Sequence, residues 1–236
     1  MDNRKFVKWI LFLVLILNIH TMNAQNKTDS LNQQQQSFVI ISALTATGDL
    51  ENLKTELNSA LDKGVTINEI KEALVHLYAY CGFPRSLNGL TTLMQVVEER
   101  KKAGKKDIVG REASPISTNK SMLETGTEVQ TKLVGQPVSG GVMEFAPAID
   151  RYLKEHLFGA IFASDVLDHQ QRELVTIAAL ASMSGTLGQL QSHIGIGMNT
   201  GLTENQFNQT FDLIGKHIGK KQADDARVVL SKTIKK

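Results

Sequence analysis

Cysteine is almost absent from this chain: one residue, Cys81, in 236. No intrachain disulfide can therefore form, and stability must come from apolar burial. Only four prolines and 6% aromatic residues are present, while the apolar segments are long and rich in Ala, Leu, Ile and Val, a pattern suited to helices rather than sheets. An excess of charge is missing too. Setting aside the first 24 residues, with Arg4, Lys5, Lys8 and Asp2, leaves 23 basic and 23 acidic side chains. That balance excludes an electrostatic nucleic-acid binder, which carries a basic excess on its domain. His156, His169 and His217 are scattered without an i, i+4 ligand pair, so no metal site is expected.

What is present begins with a leader. Residues 1–24 have a basic start, an apolar run from Trp9 to Leu17, and a small residue, Ala24, before Gln25, which reads as a secretory signal peptide. The run falls short of the ~20 residues of a comfortable membrane span. Two outcomes stay open: cleavage to a secreted or periplasmic protein, or retention as an N-terminal anchor. The remaining residues suffice for one large domain or two small ones.

The chain repeats itself. "DSLNQQQQSFVIISAL" from Asp29 lies over "DVLDHQQRELVTIAAL" from Asp165 at an offset of 136, matching Leu31 with Leu167, Gln34 with Gln170, Gln35 with Gln171, Val39 with Val175 and Ala43 with Ala179. One residue enters the next loop, and at an offset of 137 Leu50, Leu53, Gly64 and Thr66 coincide with Leu187, Leu190, Gly201 and Thr203. Two copies of one helical unit follow. Asn32 with Gln35 and Asp168 with Gln171 read as capping boxes, as do Thr66 with Glu69 and Thr203 with Gln206 for a third helix in each copy. Leu50, Leu53, Leu57 and Leu61, matched by Leu187, Leu190, Ile194 and Met198, form the buried stripe of the second helix, and Gly64 and Gly201 stop it.

The organisation expected is all-α: a first repeat over 25–103, a charged, turn-rich linker over 104–120, and a second repeat over 121–236. Phe145, Ile149, Leu153 and Leu157 sit at helical spacing and predict one further buried helix ahead of the second copy.

These residues resemble the carboxymuconolactone decarboxylase-like family, which also holds the alkylhydroperoxidase D-type proteins. The resemblance rests on "VLDHQQRELVTIAAL", on the His193 helix ending in "NTGLT", and on "LDKGVTINEIKEALVHLYAYCGFPRSLNGL" in the first copy. It implies an all-helical bundle of fused tandem copies, assembled into trimers or hexamers and acting on a small molecule without metal or organic cofactor. "ENQFNQTFDLIGKHIGKKQADDARVVL" departs from the family pattern by lacking the "YxGFP" turn of the first copy.

The peroxidase branch of the family pairs a glutamate and a histidine with two cysteines. Counted from Glu173, those cysteines would fall at Gly185 and Gly188, and without a thiol pair the dithiol cycle cannot run. Cys81 has no resolving partner and reads as a small buried hydrophobe. The decarboxylase branch keeps a histidine where this chain has His193. The resemblance thus makes His193 the general acid/base, with Glu173 orienting the imidazole and Arg172 or Arg151 holding a substrate carboxylate. In the first copy Ser37 stands for Glu173 and Glu56 for His193, so one site per chain is expected, with His76, Tyr78, Tyr80 and Arg85 of the first copy as a wall. The plainer reading puts Glu173 in the first turn of its helix, where the dipole favours an acid, leaves Arg172 in solvent, and makes His193 a hydrogen-bonded core residue. Two other functions stay open: an alkylhydroperoxidase-like antioxidant dependent on Cys81, and a non-catalytic helical oligomer that binds a small ligand or a partner.

Overall fold

The computed structural model describes residues 29–116 and 119–235, and the expected leader over 1–24 lies outside them. Among the described residues there are helices and no strand, and no helix is long and apolar enough to cross a membrane. The first copy consists of α1 (Gln33–Thr47), α2 (Leu50–Asp62), α3 (Ile67–His76) and α4 (Tyr78–Lys102). The second consists of α8 (His169–Ser182), α9 (Leu187–Asn199), α10 (Glu204–His217) and α11 (Lys220–Ile234). Between them lie α5 (Met122–Val134), the short α6 (Val142–Phe145) and α7 (Pro147–Tyr152), and a π-helix, π1 (Leu153–Ile161).

All four capping boxes form, at Asn32, Thr66, Asp168 and Thr203. Each satisfies one orphan backbone donor on either side of the helix start. A fifth forms at Ser121 with Glu124.

The centre of the molecule is the pairing of α1 with α8, which are buried along nearly their whole lengths. Their contacts are reciprocal. Gln171 Nε2 donates to Gln34 Oε1 at 3.3 Å, and Gln35 Nε2 to Gln170 Oε1 at 3.5 Å; Gln34 and Gln35 are the repeat equivalents of Gln170 and Gln171. The cores are exchanged in the same way. Leu167, Val175 and Ala179 of the second copy enter the core built by the first, and their equivalents Leu31, Val39 and Ala43 enter the core built by the second. Such self-complementary contact is the mark of a two-fold relation, so one chain folds as an internal pseudo-dimer.

The third helix of the second copy ends at the same place although its sequence departs from the family pattern: α10 stops and α11 starts across Gly219, the position equivalent to Gly82. In the first copy the chain kinks at Gly82, whose φ of 81° and ψ of 158° suit glycine alone. The helix expected from Phe145, Ile149, Leu153 and Leu157 is broken. Pro147 disfavours helical geometry at the residue before it, and Ala146 has φ −130° and ψ 76°. Phe145 is then 90% exposed, and only Leu157 of the four is buried.

The π-helix packs against α5 at glycine contacts. A Cβ on Gly126 would lie 1.6 Å from the Lys154 carbonyl oxygen, and one on Gly159 would lie 2.4 Å from that of Met122. This pair brings Leu133, Phe158 and Phe162 onto Tyr78, Tyr80 and Ile196. The charged segment after α4 is tied down by its backbone. Ile67 and Asn68 donate their N–H groups to the carbonyls of Ile108 and Val109, Asn68 Nδ2 reaches Gly110 O and Arg111 O, and Asp107 pairs with the buried Arg100 at 2.6 Å.

Candidate functional site

Helix α8 carries three polar residues into the interior: Arg172, Glu173 and Thr176, each with no exposed surface. Arg172 and Thr176 are one turn apart and share a face, so both point at the first copy, while Glu173 is rotated toward α9. Glu173 is the fifth residue of α8, beyond the first turn, and Arg172 is buried; neither fits the plainer reading of helix-end acid and solvated cation.

Glu173 Oε2 lies 2.8 Å from His193 Nδ1, with His193 only 12% exposed. An ionised carboxylate can only accept, so Nδ1 carries the hydrogen and Nε2 is left as the working nitrogen of the ring. The other carboxylate oxygen, Oε1, is buried without a hydrogen-bond partner. Tyr80 of α4 meets His193 edge to face, with ring centroids 5.3 Å apart. Its hydroxyl is buried beside Thr176 and Glu173 but makes no well-formed hydrogen bond. Burial, and then the negative charge of Glu173, push the Tyr80 phenol far above its ordinary pKa, so it is held as a neutral donor.

Behind this group lies a second polar chain. Arg172 Nη2 pairs with Glu72 Oε1 at 2.5 Å and donates to Ser164 O at 2.8 Å, and Nη1 approaches His76 Nδ1 at 3.4 Å. A guanidinium donates and never accepts, so His76 Nδ1 is the acceptor and Nε2–H donates to Thr176 Oγ1 at 2.8 Å. Burial first, then the charges of Arg172 and His193, hold the His76 imidazole well below its usual pKa. That agrees with a neutral ring fixed in one tautomer. The Arg172 guanidinium also sits 5.8 Å over the Phe162 ring.

The structure therefore joins Glu173 and His193 and adds Tyr80 to them. Arg172 does not open toward a ligand; it is committed to Glu72, Ser164 and His76. Arg151 is two-thirds exposed and bonded to Glu155 of its own helical run at 2.9 Å, with no contact to the pair. Of the expected wall, His76 and Tyr80 face the site, Tyr78 stacks on Phe83 and tilts against His156, and Arg85 donates to Ala46 O. Cys81 is half-buried and donates to Leu77 O at 3.2 Å; burial pushes its thiol up to about 11, so it is no thiolate at neutral pH. Glu72 and Thr176 were missed from sequence, although a glutamate four residues before His76 and a threonine four residues after Arg172 share their faces. A cleft of about 380 Å³ lined by Lys132, Asp168, His169 and Asn199 opens at the start of α8, and neither Glu173 nor His193 lines it.

The sequence model described as "Carboxymuconolactone decarboxylase family" matches residues 17–93 and 147–218, one segment in each copy and well over half of the chain. A search of curated proteins finds no match.

Proposed function

The chain belongs to the carboxymuconolactone decarboxylase family, and from that premise we propose that it is a cofactor-independent carboxy-lyase acting on a small carboxylated lactone or related acid. The observation that carries this reading is the buried Glu173–His193 hydrogen bond of 2.8 Å. Loss of carbon dioxide leaves the bonding electron pair on the lactone as a conjugated dienolate, which needs a proton at carbon. His193, protonated from solvent, delivers that proton from Nε2, while Glu173 holds Nδ1–H and offsets the charge of the imidazolium. Such a positioned acid contributes roughly 10²–10⁴-fold. The thiol peroxidase alternative finds glycines at 185 and 188 and a protonated Cys81 with no second thiol in the chain.

Export through residues 1–24 belongs to the same proposal and rests on the leader's sequence. Assembly into a homo-oligomer is supported by Phe83, Leu87 and Met94, 62%, 55% and 61% exposed along one outward stripe of α4.

The test is release of carbon dioxide from 4-carboxymuconolactone by the purified protein, with His193→Ala and Cys81→Ser beside the parent. Release that needs His193 and ignores Cys81 supports the reading. A folded parent that releases none removes this substrate, and loss with Cys81→Ser revives the thiol alternative.

A further inference from the structure

We infer that Tyr80, supplied by the first copy, is a catalytic residue of the second copy's site: its hydroxyl donates to the substrate oxygen on which negative charge develops, while His193 protonates carbon. This rests on the decarboxylase reading for its reaction, but its geometry stands apart from it.

Three observations converge. The Tyr80 ring is fixed by aromatic contacts on two sides, His193 at 5.3 Å and His76 at 5.1 Å, so the position of its hydroxyl is set by packing. That hydroxyl is buried near Thr176 and the Glu173 carboxylate without a well-formed hydrogen bond, and the Glu173 oxygen not used by His193, Oε1, is also buried and unpartnered. Phenylalanine would serve the same packing without an unsatisfied polar atom, whereas a buried tyrosine hydroxyl ordinarily has a partner. The groups that face it are Glu173, His193 and Thr176, with His76 and Arg172 behind them. Arg172, the one fixed cation among them, is paired with Glu72, but a neutral phenol can bind an enolate oxygen.

The step balances. The carbon–carbon bond to the carboxylate breaks, its electron pair passes into the dienolate, and carbon dioxide leaves. The negative charge rests on the lactone oxygen, where Tyr80 donates a hydrogen bond and keeps its proton. His193 then transfers its proton to carbon, and the product is the enol-lactone.

Tyr80→Phe tests this on two measurements. Its melting temperature should equal or exceed that of the parent, since the hydroxyl removed makes no well-formed hydrogen bond; a lower one would show a structural hydrogen bond to Thr176 and overturn the inference. With 4-carboxymuconolactone, kcat should fall about 10²-fold, as for loss of one oxyanion donor, with KM nearly unchanged; an unchanged kcat overturns it. A parent without turnover defeats the decarboxylase reading, on which the step rests, whereas a lowered melting temperature of Tyr80→Phe overturns the role of Tyr80 whether or not the parent turns over.

Discussion

Replacing Arg172 with methionine separates two roles, the substrate anchor implied by the family resemblance and the internal clamp seen in the structure. The side chain is fully buried and its Glu72 partner is 18% exposed. Breaking a buried ion pair by removing one member costs about 3–5 kcal/mol. Partial exposure lets water take up some of the Glu72 charge, which puts the expected loss near the low end, about 3 kcal/mol. Methionine fills much of the volume, so little of this loss comes from a cavity. For a chain of this size about 3 kcal/mol corresponds to a melting point roughly 6–12 °C lower. Urea unfolding of the parent, Arg172→Met, Glu72→Gln and the double variant measures it. The two single losses should exceed that of the double when summed, with a coupling of about 0.5–3 kcal/mol. A variant as stable as the parent, with a raised KM for a carboxylated substrate, would refute the clamp and restore Arg172 as an anchor.

Gly126→Ala places a methyl group 1.6 Å from a backbone oxygen. Since α5 and π1 must separate, a net loss of roughly 1–3 kcal/mol is expected despite the ~1 kcal/mol gained in helix propensity; an unchanged melting curve would contradict the close crossing. His76 is buried with a depressed pKa. The unfolded chain therefore takes up a proton that the folded one refuses, and the contribution of neutral His76 is full above about pH 6.5 and declines below it. His76→Gln should flatten the fall in stability between about pH 7 and 5, and an equal slope in both proteins would count against the buried neutral ring. Hydrogen bonding to Arg100 holds the Asp107 carboxyl below its usual range, so its contribution is present at neutral pH and lost as pH falls through that lowered value. Asp107→Asn should cost about 1.5–3 kcal/mol at pH 7 and progressively less in acid, measured by urea unfolding, and a cost independent of pH would refute it.

The helix starts were legible because a capping box is a local signal, complete within four residues, and the two copies were legible because equivalent burial repeats the same apolar letters. The pairing of Glu173 with His193 was legible only as residue types. Their 2.8 Å contact depends on how α8 crosses α9, which no spacing along one helix records. Arg172 was misjudged for a related reason. It follows a polar run, "DHQQ", that looks like a solvated helix start, yet Glu72 and His76 of α3, with Phe162 and Ser164, enclose its guanidinium. The broken stripe from Phe145 to Leu157 shows the opposite error. Its period is regular, but Pro147 interrupts the backbone and the π turn rotates the face, so periodicity without continuity buried one residue of four.

The pseudo-two-fold relation gives the asymmetry of the site a physical form. Its operation carries Tyr80 to His217, Glu173 to Ser37 and His193 to Glu56, so the counterpart of the described group is a serine, a glutamate and an imidazole with their roles rearranged. Glu56 lies close enough to raise the His217 pKa, against the larger effect of burial and the charge of Lys216, and Glu56 itself faces Lys63 at 3.6 Å. In both places the third group comes from the opposite copy, at the end of its third helix or just beyond, beside the glycine where that helix breaks. The fold therefore offers two equivalent junctions, each needing both copies. Only at one does the central helix supply a buried acid to an imidazole on its neighbour. At the other the buried position is Ser37, which cannot take the charge of a histidine, and the acid has moved to α2, where a lysine neutralises it. One junction thus holds a buried carboxylate–imidazole hydrogen bond and the other a carboxylate–lysine ion pair.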